Sequence, residues 1–232
     1  MAVLLLPPVL LLGGVEGAYR WHLPPVDARP RAPAPRMNLA TRALWAAEED
    51  GPFQLDPLWP WTLMADVLRR MGTPRHALPP AGAGLAWSVA REWRQAQPGD
   101  ARARSLEGLA LCIWLTRHWS AEELLTAYAE QADFGHGFTG LEAASRGYFG
   151  EPPEQLALAE AALLAGLPSS PRRFDPVCEP EQARRRRNRV LTRLRALGWI
   201  SEAEHEAARA QPVPPTLLAK DGEACARTTP SP

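Results

Sequence analysis

Apolar residues recur along most of this chain with the spacing of an α-helix, one every three or four positions. The clearest case is residues 101–118, where five apolar side chains form one stripe: Leu106, Leu109, Ala110, Ile113 and Trp114. No segment alternates β-branched and polar residues in the way that a half-buried strand does. The pattern therefore predicts seven or so helices and an all-α fold.

Capping signals predict where three of these helices begin. Two of the signals have the Ser-x-x-Glu spacing of a capping box, in which each side chain bonds to the backbone N–H of the other residue. The three signals are Asn38, Ser120 with Glu123, and Ser201 with Glu204. Two further helices are predicted from composition, an Ala/Leu-rich one at about 157–165 and an arginine-rich one at 182–197.

The two ends of the chain differ in composition from its middle. Residues 2–15 are apolar and uncharged, but this run is shorter than the ~20 residues that a membrane-spanning helix needs. We interpret residues 1–17 as a signal-like segment or the remnant of an anchor, with a buried N-terminal strand as the alternative. Residues 18–37 are rich in proline and arginine and are predicted to be a linker, and residues 209–232 a disordered tail.

The charge balance and the cysteines exclude some classes of function. The 26 basic and 26 acidic residues cancel, so no overall field favours nucleic acid as a partner. The three cysteines are odd in number, far apart and without CxxC spacing, which disfavours a zinc site or a redox pair. We expect free thiols, with Cys112 a small core residue.

Two groups of acids and one run of arginines are candidates for chemistry. Glu48, Glu49 and Asp50 close the first predicted helix, where negative charge is unfavourable unless it is solvated or functional. Glu107 lies at the edge of an apolar stripe, so it either reaches solvent or sits in a cleft with a raised pKa. The arginines of 184–195 form a solvated helix face, a nucleic-acid contact or a pyrophosphate site.

Residues 134–176 and the arginine helix after them closely resemble a known family. The matching pieces read GLEAASRGYFG, LALAEAALLAG, PSSPRRFDP and RRRNRVL. They are similar to the peptidoglycan glycosyltransferase domain of penicillin-binding proteins and monofunctional transglycosylases, glycosyltransferase family 51. The resemblance covers about residues 38–208. It implies an all-α, lysozyme-like head lobe with a smaller membrane-proximal jaw lobe.

The resemblance also implies roles for individual residues. Glu49 falls on the catalytic general base of the family's EDxxF motif, and Glu107 on a second catalytic carboxylate that serves the leaving group or a metal. A divalent metal, Mg²⁺ or Mn²⁺, is expected at Glu107 because such ions favour oxygen ligands, and no organic cofactor is expected. The substrate-binding residues implied are Asp50, Phe53, Arg104, Tyr128, Arg185 and Arg186.

The chain departs from the family pattern at several polar positions. The family's GGSTITQQLAKN becomes AGAGLAWSVARE at residues 81–92, so a Ser-Thr pair and two glutamines are missing. The family's His after EDxxF falls on Asp56, its Lys in SKxxILExYLN on Ala121, and its Asn on Glu130. These losses remove groups that bind a charged substrate.

The function implied by the resemblance is polymerisation of lipid II into glycan strands in cell-wall synthesis, without a transpeptidase domain. It places the protein in the cell envelope, on the outer (periplasmic) face of the cytoplasmic membrane. The partners expected are lipid II, the growing glycan strand, the membrane surface and cell-wall synthesis proteins, not nucleic acid. Two alternatives stay open: a catalytically degenerate member that binds glycan, lipid or a cell-wall partner, and a hydrolase that cleaves a sugar linkage between two carboxylates.

Overall fold

The computed structural model of the protein describes residues 6–49, 51–61, 80–97 and 101–217, and gives the backbone alone for 6–11 and 101–104. Within these ranges the regular structure is helical, and the β-pairing is limited to an isolated bridge between Asp133 and Thr139. The predicted all-α fold is confirmed for these residues. The division into a head and a jaw lobe stays a prediction.

The helices agree closely with the sequence pattern. Helix α4 has the predicted bounds, α5 begins directly after its predicted cap Ser120, and α7 and α8 differ from their predicted bounds by at most two residues. The described α-helices are α1 Leu6–His22, α2 Leu39–Glu48, α3 Ala83–Gln95, α4 Ala101–His118, α5 Ala121–Gln131, α6 Leu141–Phe149, α7 Leu158–Ala165, α8 Pro180–Ala196 and α9 Glu202–Ala210, with a short 3₁₀ helix at Val26–Ala28.

The predicted caps form the expected hydrogen bonds. The backbone N–H of Ser120 donates to Glu123 at 2.7 Å, and the backbone N–H of Glu123 donates to the Ser120 hydroxyl at 3.1 Å. Ser201 and Glu204 repeat this pair of bonds before α9. Asn38 caps α2 by accepting from the Thr41 backbone N–H. These helix starts are local properties of the sequence, because both partners lie within one turn.

The N-terminal segment differs from its prediction. Helix α1 runs to His22, so the boundary predicted at residue 17 falls inside a helix. Tyr19 is buried, and the Arg117 guanidinium lies 5.5 Å from the centre of its ring. Among the residues described, we find no helix with both the length and the apolar character that crossing a membrane demands.

The chain forms two compact units. The first comprises Met1–Ala32 and Gln54–Leu124, and the second comprises Pro33–Phe53 and Leu125–Pro232. In the first unit, α3 packs on α4 through buried apolar side chains, and α1 also contacts α4. The buried apolar residues of this helix pair include Leu85, Val89, Leu111, Ile113 and Leu115.

The second unit is built around α7. Seven of its eight residues are apolar, and Ala159 and residues 161–165 are buried, as expected of a helix in the middle of a core. Helices α2 and α8 both pack on α7, and α9 packs on α8. Helices α2 and α8 also contact each other directly.

The chain after α9 is packed rather than disordered as far as residue 217. Arg187 on α8 is completely buried, and its guanidinium donates to the carbonyls of Gln211 at 2.9 Å and Pro212 at 2.7 Å. Thr216 is also buried. The predicted disordered tail is therefore wrong for residues 209–217, and residues 218–232 lie outside the described part of the chain.

The loop between α5 and α6 has an unusual backbone. Gly135, Gly137 and Gly140 have positive φ angles, as does His136 at 52°. A Cβ on Gly140 would lie 2.8 Å from the Glu130 carbonyl oxygen, so only glycine fits there. The His136 ring bonds to the buried Asp175 carboxylate at 2.8 Å, which holds the loop against the segment before α8.

Candidate active site

Two acids mark the C-terminal end of α2. Glu48 is the last helical residue, and Glu49 is the C-cap, with extended backbone angles of φ −116° and ψ 135°. The backbone N–H of Glu49 still donates to the Trp45 carbonyl at 2.9 Å. Glu49 is 7% exposed. The chain therefore leaves the helix at an acid that is nearly enclosed by protein.

The surroundings of Glu48 act on its charge in opposite directions. Burial raises the pKa of Glu48 above its ordinary value, and the positive charge of Arg186 opposes this effect. The negative charge of Glu49 raises the pKa further, while a hydrogen bond from the Tyr128 hydroxyl lowers it. The structure thus places the predicted substrate residue Tyr128 on Glu48, a residue to which the resemblance assigned no role.

Arg186 is bonded to the protein itself. Its Nη2 donates to the Ala47 carbonyl at 2.8 Å and lies 3.8 Å from Glu48 Oε1. Its Nε donates to the Gly166 carbonyl at 3.4 Å, and its guanidinium lies 5.5 Å from the centre of the Phe174 ring. Only 17% of the side chain is exposed. Arg186 therefore connects α8 to the end of α2.

The other predicted substrate residues have different surroundings. Arg185 is exposed on α8. Phe53 packs edge-on against Trp45 and Trp199, with ring centres 4.8 Å and 5.3 Å away, so it anchors the chain that follows Glu49. Asp50 lies outside the described residues, as does the side chain of Arg104 on α4.

Glu107 belongs to the first unit, whereas Glu49 belongs to the second. The Glu107 carboxylate forms an ion pair with Arg94 of α3, and its side chain is 31% exposed. The described residues contain no group of three or more His, Cys, Asp or Glu that could hold a metal ion. Because a guanidinium already neutralises Glu107, these surroundings do not fit a divalent metal, and no chemical step below depends on one.

The residues that replace the family's polar positions differ in their backbone conformation, burial and hydrogen bonding. Gly82 caps α3 in the left-handed conformation, with φ 78°. Trp87 is 42% exposed on α3, so an aromatic surface stands where the family has polar side chains. Asp56 accepts from the Ala81 backbone N–H at 3.0 Å and fixes the start of this region. Ala121 is 8% exposed at the first turn of α5.

A cavity of about 340 Å³ lies in the second unit, away from these acids. Asn38, Thr41 and Thr126 line it at the N-terminal end of α2, and Gly140 and Glu142 line it at the start of α6. Ten helical residues separate this end of α2 from Glu49, or roughly 15 Å at about 1.5 Å per residue. The cavity contains none of the predicted site residues.

The described residues define an all-helical protein with a carboxylate site at a helix end. Such a site can hold or remove a proton, because a tyrosine hydroxyl and a guanidinium lie beside enclosed carboxylates. Sequence reasoning placed Glu49 at the end of α2, where the structure has it, but missed the contacts of Glu48 with Tyr128 and Arg186. The acidic triplet was the signal for Glu48, but nothing local in the sequence indicated its partners.

Comparison with known proteins identifies the family. Residues 90–195 match the family model described as Transglycosylase. Penicillin-binding protein 1A of Mycolicibacterium smegmatis is 32% identical over 204 residues, covering 84% of this chain and 25% of the relative. Penicillin-binding protein 1C of Escherichia coli is 29% identical over 211 residues, covering 89% of this chain and 25% of the relative. The chain therefore carries a transglycosylase domain of the glycosyltransferase family 51 type.

The alignments with the two relatives include position 49. The alignments with the two relatives leave too few residues outside them to miss position 49, whereas the family match begins after it. The chain spans about a quarter of the length of both relatives. A crystal structure of penicillin-binding protein 1A from Haemophilus influenzae matches 61% of this chain and 18% of that chain, at 25% identity and a TM-score of 0.36.

Proposed function

We propose that this transglycosylase domain polymerises lipid II into glycan strands, with Glu49 as the general base. The observation that carries the proposal is the position of Glu49, enclosed at the end of α2 within a stretch that aligns with penicillin-binding proteins. A carboxylate held in this way keeps a fixed direction and is shielded from bulk water, which suits proton transfer from a neutral hydroxyl.

The proposed reaction forms one bond and breaks another at the anomeric carbon of the donor sugar. The Glu49 carboxylate takes the proton from the 4-hydroxyl of the acceptor sugar, whose oxygen then bonds to the anomeric carbon of the donor. The bond from that carbon to the pyrophosphate oxygen breaks, and undecaprenyl pyrophosphate leaves with the electron pair. The leaving group needs positive charge nearby. Arg185 is the candidate in the second unit, since its side chain is exposed on α8.

The test is polymerisation of labelled lipid II by the purified, detergent-solubilised chain, compared with Glu49→Gln. Loss of a general base lowers the rate by about 10²–10⁴-fold, and we expect a loss of that order. Far-ultraviolet circular dichroism and the thermal midpoint should change little. Glu206→Gln, at an exposed position of α9, is the matched control. Full activity in Glu49→Gln would contradict the assignment.

A catalytically degenerate protein that binds lipid II without turnover is the second candidate. It is favoured by the exposed Trp87 on α3 and by Ala121, where the family has polar and cationic groups. A hydrogen bond to a charged group contributes about 1.5–3 kcal/mol, so several lost bonds could remove most of the rate. The same assay separates the candidates, because the products are longer glycan, shorter glycan or none, the last with lipid II still bound.

We also propose that the protein acts in the cell envelope, on the periplasmic face of the cytoplasmic membrane. Cys178 is disulfide-bonded, so the expectation of three free thiols is wrong for this residue. Disulfides persist mainly in oxidising compartments such as the periplasm, which supports this location. The proposed partners are lipid II, the glycan strand, the membrane surface and other cell-wall synthesis proteins. The divalent metal predicted at Glu107 is not part of this proposal, because Arg94 pairs with that carboxylate.

A further inference from the structure

The last turn of α2 depends on α8 for a hydrogen-bond partner. The last four carbonyls of an α-helix have no partner within the helix. In α2 the Trp45 carbonyl accepts from the Glu49 backbone N–H, and the Ala47 carbonyl accepts from Arg186 at 2.8 Å. A cation at this end of a helix also stabilises the helix dipole. Arg186 thus satisfies one of the carbonyls at the helix end that carries Glu48 and Glu49.

We propose that Arg186 is a positioning residue, which fixes the last turn of α2 and thereby the acids Glu48 and Glu49, and that it does not bind the substrate's pyrophosphate. The proposal rests on the proposed function, because it takes Glu49 as the base. It departs from the role that the family resemblance implied for Arg186, and it leaves phosphate binding on α8 to its exposed neighbour Arg185.

The geometry of the guanidinium carries this inference. Arginine binds phosphate best through two parallel N–H groups. In Arg186, Nε and Nη2 both point to backbone carbonyls, those of Gly166 and Ala47, and the ring of Phe174 lies near the guanidinium. A pyrophosphate could reach that pair of donors only if both internal bonds broke.

The charges around Glu48 predict a second effect. The groups that act on its charge are Glu49 at the helix end, Tyr128 from α5 and Arg186 from α8. Arg186 is the cation of this set, so its removal should favour the protonated form of Glu48.

The experiment compares Arg186→Ala and Arg186→Lys with Arg189→Ala, a matched control at an exposed position of the same helix. Polymerisation of labelled lipid II is measured for each variant from about pH 5 to about pH 9. For Arg186→Ala we expect kcat to fall roughly 10- to 100-fold, as for a small misplacement of a catalytic group, with KM nearly unchanged. The fall in kcat should be smaller in Arg186→Lys, which keeps the charge and can still donate to the Ala47 carbonyl. Arg189→Ala should resemble the unmodified chain.

A raised KM in Arg186→Ala, with kcat unchanged, would show that Arg186 binds substrate and would overturn the proposal. Amide hydrogen exchange gives a readout that needs no activity. Residues 45–49 should exchange faster in Arg186→Ala than in the unmodified chain or in Arg189→Ala, and unchanged exchange would also overturn the proposal.

If the unmodified chain makes no glycan, the proposed function fails, while the hydrogen-exchange comparison still tests the positioning role. If Arg186→Ala does not fold, Arg186→Lys provides both measurements.

Discussion

At the scale of single residues, burial and the charge of Arg186 shift the pKa of Glu48 in opposite directions. Burial disfavours the ionised carboxylate more than the Arg186 charge favours it, so the pKa of Glu48 lies above its ordinary value of 4.5. The folded protein therefore keeps a proton that the unfolded chain loses near that pH. Stability contributed by this proton is present at low pH, and it is lost as pH rises from about 4.5 through the raised pKa of the folded state.

Replacing Glu48 with glutamine should remove this loss. Glutamine cannot ionise, and its side-chain oxygen can still accept the Tyr128 hydroxyl. We expect Glu48→Gln to have a higher thermal midpoint than the unmodified chain near neutral pH, and little or no advantage below the ordinary pKa of a carboxyl. Thermal unfolding followed by circular dichroism across this range measures the effect. Parallel pH dependences of the variant and the unmodified chain would contradict it, and Glu206→Gln should show no such change.

At the scale of elements, α8 has arginines in three different environments. Arg185 and Arg189 are exposed, Arg186 bonds to α2, and Arg187 is buried under the chain that follows α9. Burial, together with the nearby charge of Arg184, lowers the pKa of Arg187. Backbone carbonyls and the Asn188 side chain accept its N–H groups, so hydrogen bonds rather than a carboxylate offset the cost of burial.

Arg187→Met should destabilise the second unit through those carbonyls. Methionine fills much of the same space but leaves the acceptors at Gln211 and Pro212 without their donor. Each buried acceptor left unsatisfied costs about 1–3 kcal/mol, and we expect a total loss on the order of 3 kcal/mol. Urea unfolding measures the loss. Arg189→Met, an exposed substitution on the same helix, should stay within about 0.5 kcal/mol of the unmodified chain.

At the scale of the whole molecule, each of the two units contains a cysteine whose reactivity depends on the native structure. Cys112 is a free, buried thiol on α4 of the first unit, and burial raises its pKa to about 12. Cys178 lies just before α8 of the second unit and is disulfide-bonded. Both cysteines are therefore protected from modification in the native protein. Packing protects Cys112, and the disulfide bond protects Cys178.

Alkylation with iodoacetamide should distinguish these two kinds of protection. At about pH 8 an ordinary exposed thiol is partly ionised and reacts readily. We expect Cys112 to react only after unfolding by denaturant, and Cys178 only after reduction. Mass spectrometry of the peptides that contain Cys112 and Cys178 measures both outcomes. Rapid labelling of Cys112 in the native protein would contradict the packing of α3 on α4.

Local signals explain how much of the helical architecture the sequence predicted. The capping box of Ser120 and Glu123 needs only residues within one turn, so it does not depend on the rest of the fold. The apolar stripe predicted on α4 is wrong for Leu106 and Leu109, which are 48% and 38% exposed. Leu111 and Leu115, which lie outside the predicted stripe, are buried. The same reasoning failed for residues 209–217, because their order comes from the buried Arg187 on another helix rather than from a pattern of their own.

The sequence by itself determined the helices, the family and the position of Glu49 at a helix end. Only the tertiary structure decided what the neighbouring residues do there. Arg186 donates to the Ala47 carbonyl across a separation of 139 residues, and this contact exists because α2 and α8 both pack on α7. The physical reason is that the sequence does not show which arginines of α8 will be buried and which will be exposed. Helix packing then buries some of its members and exposes others, so an arginine that the family resemblance implied as a substrate residue is bonded instead to the end of α2.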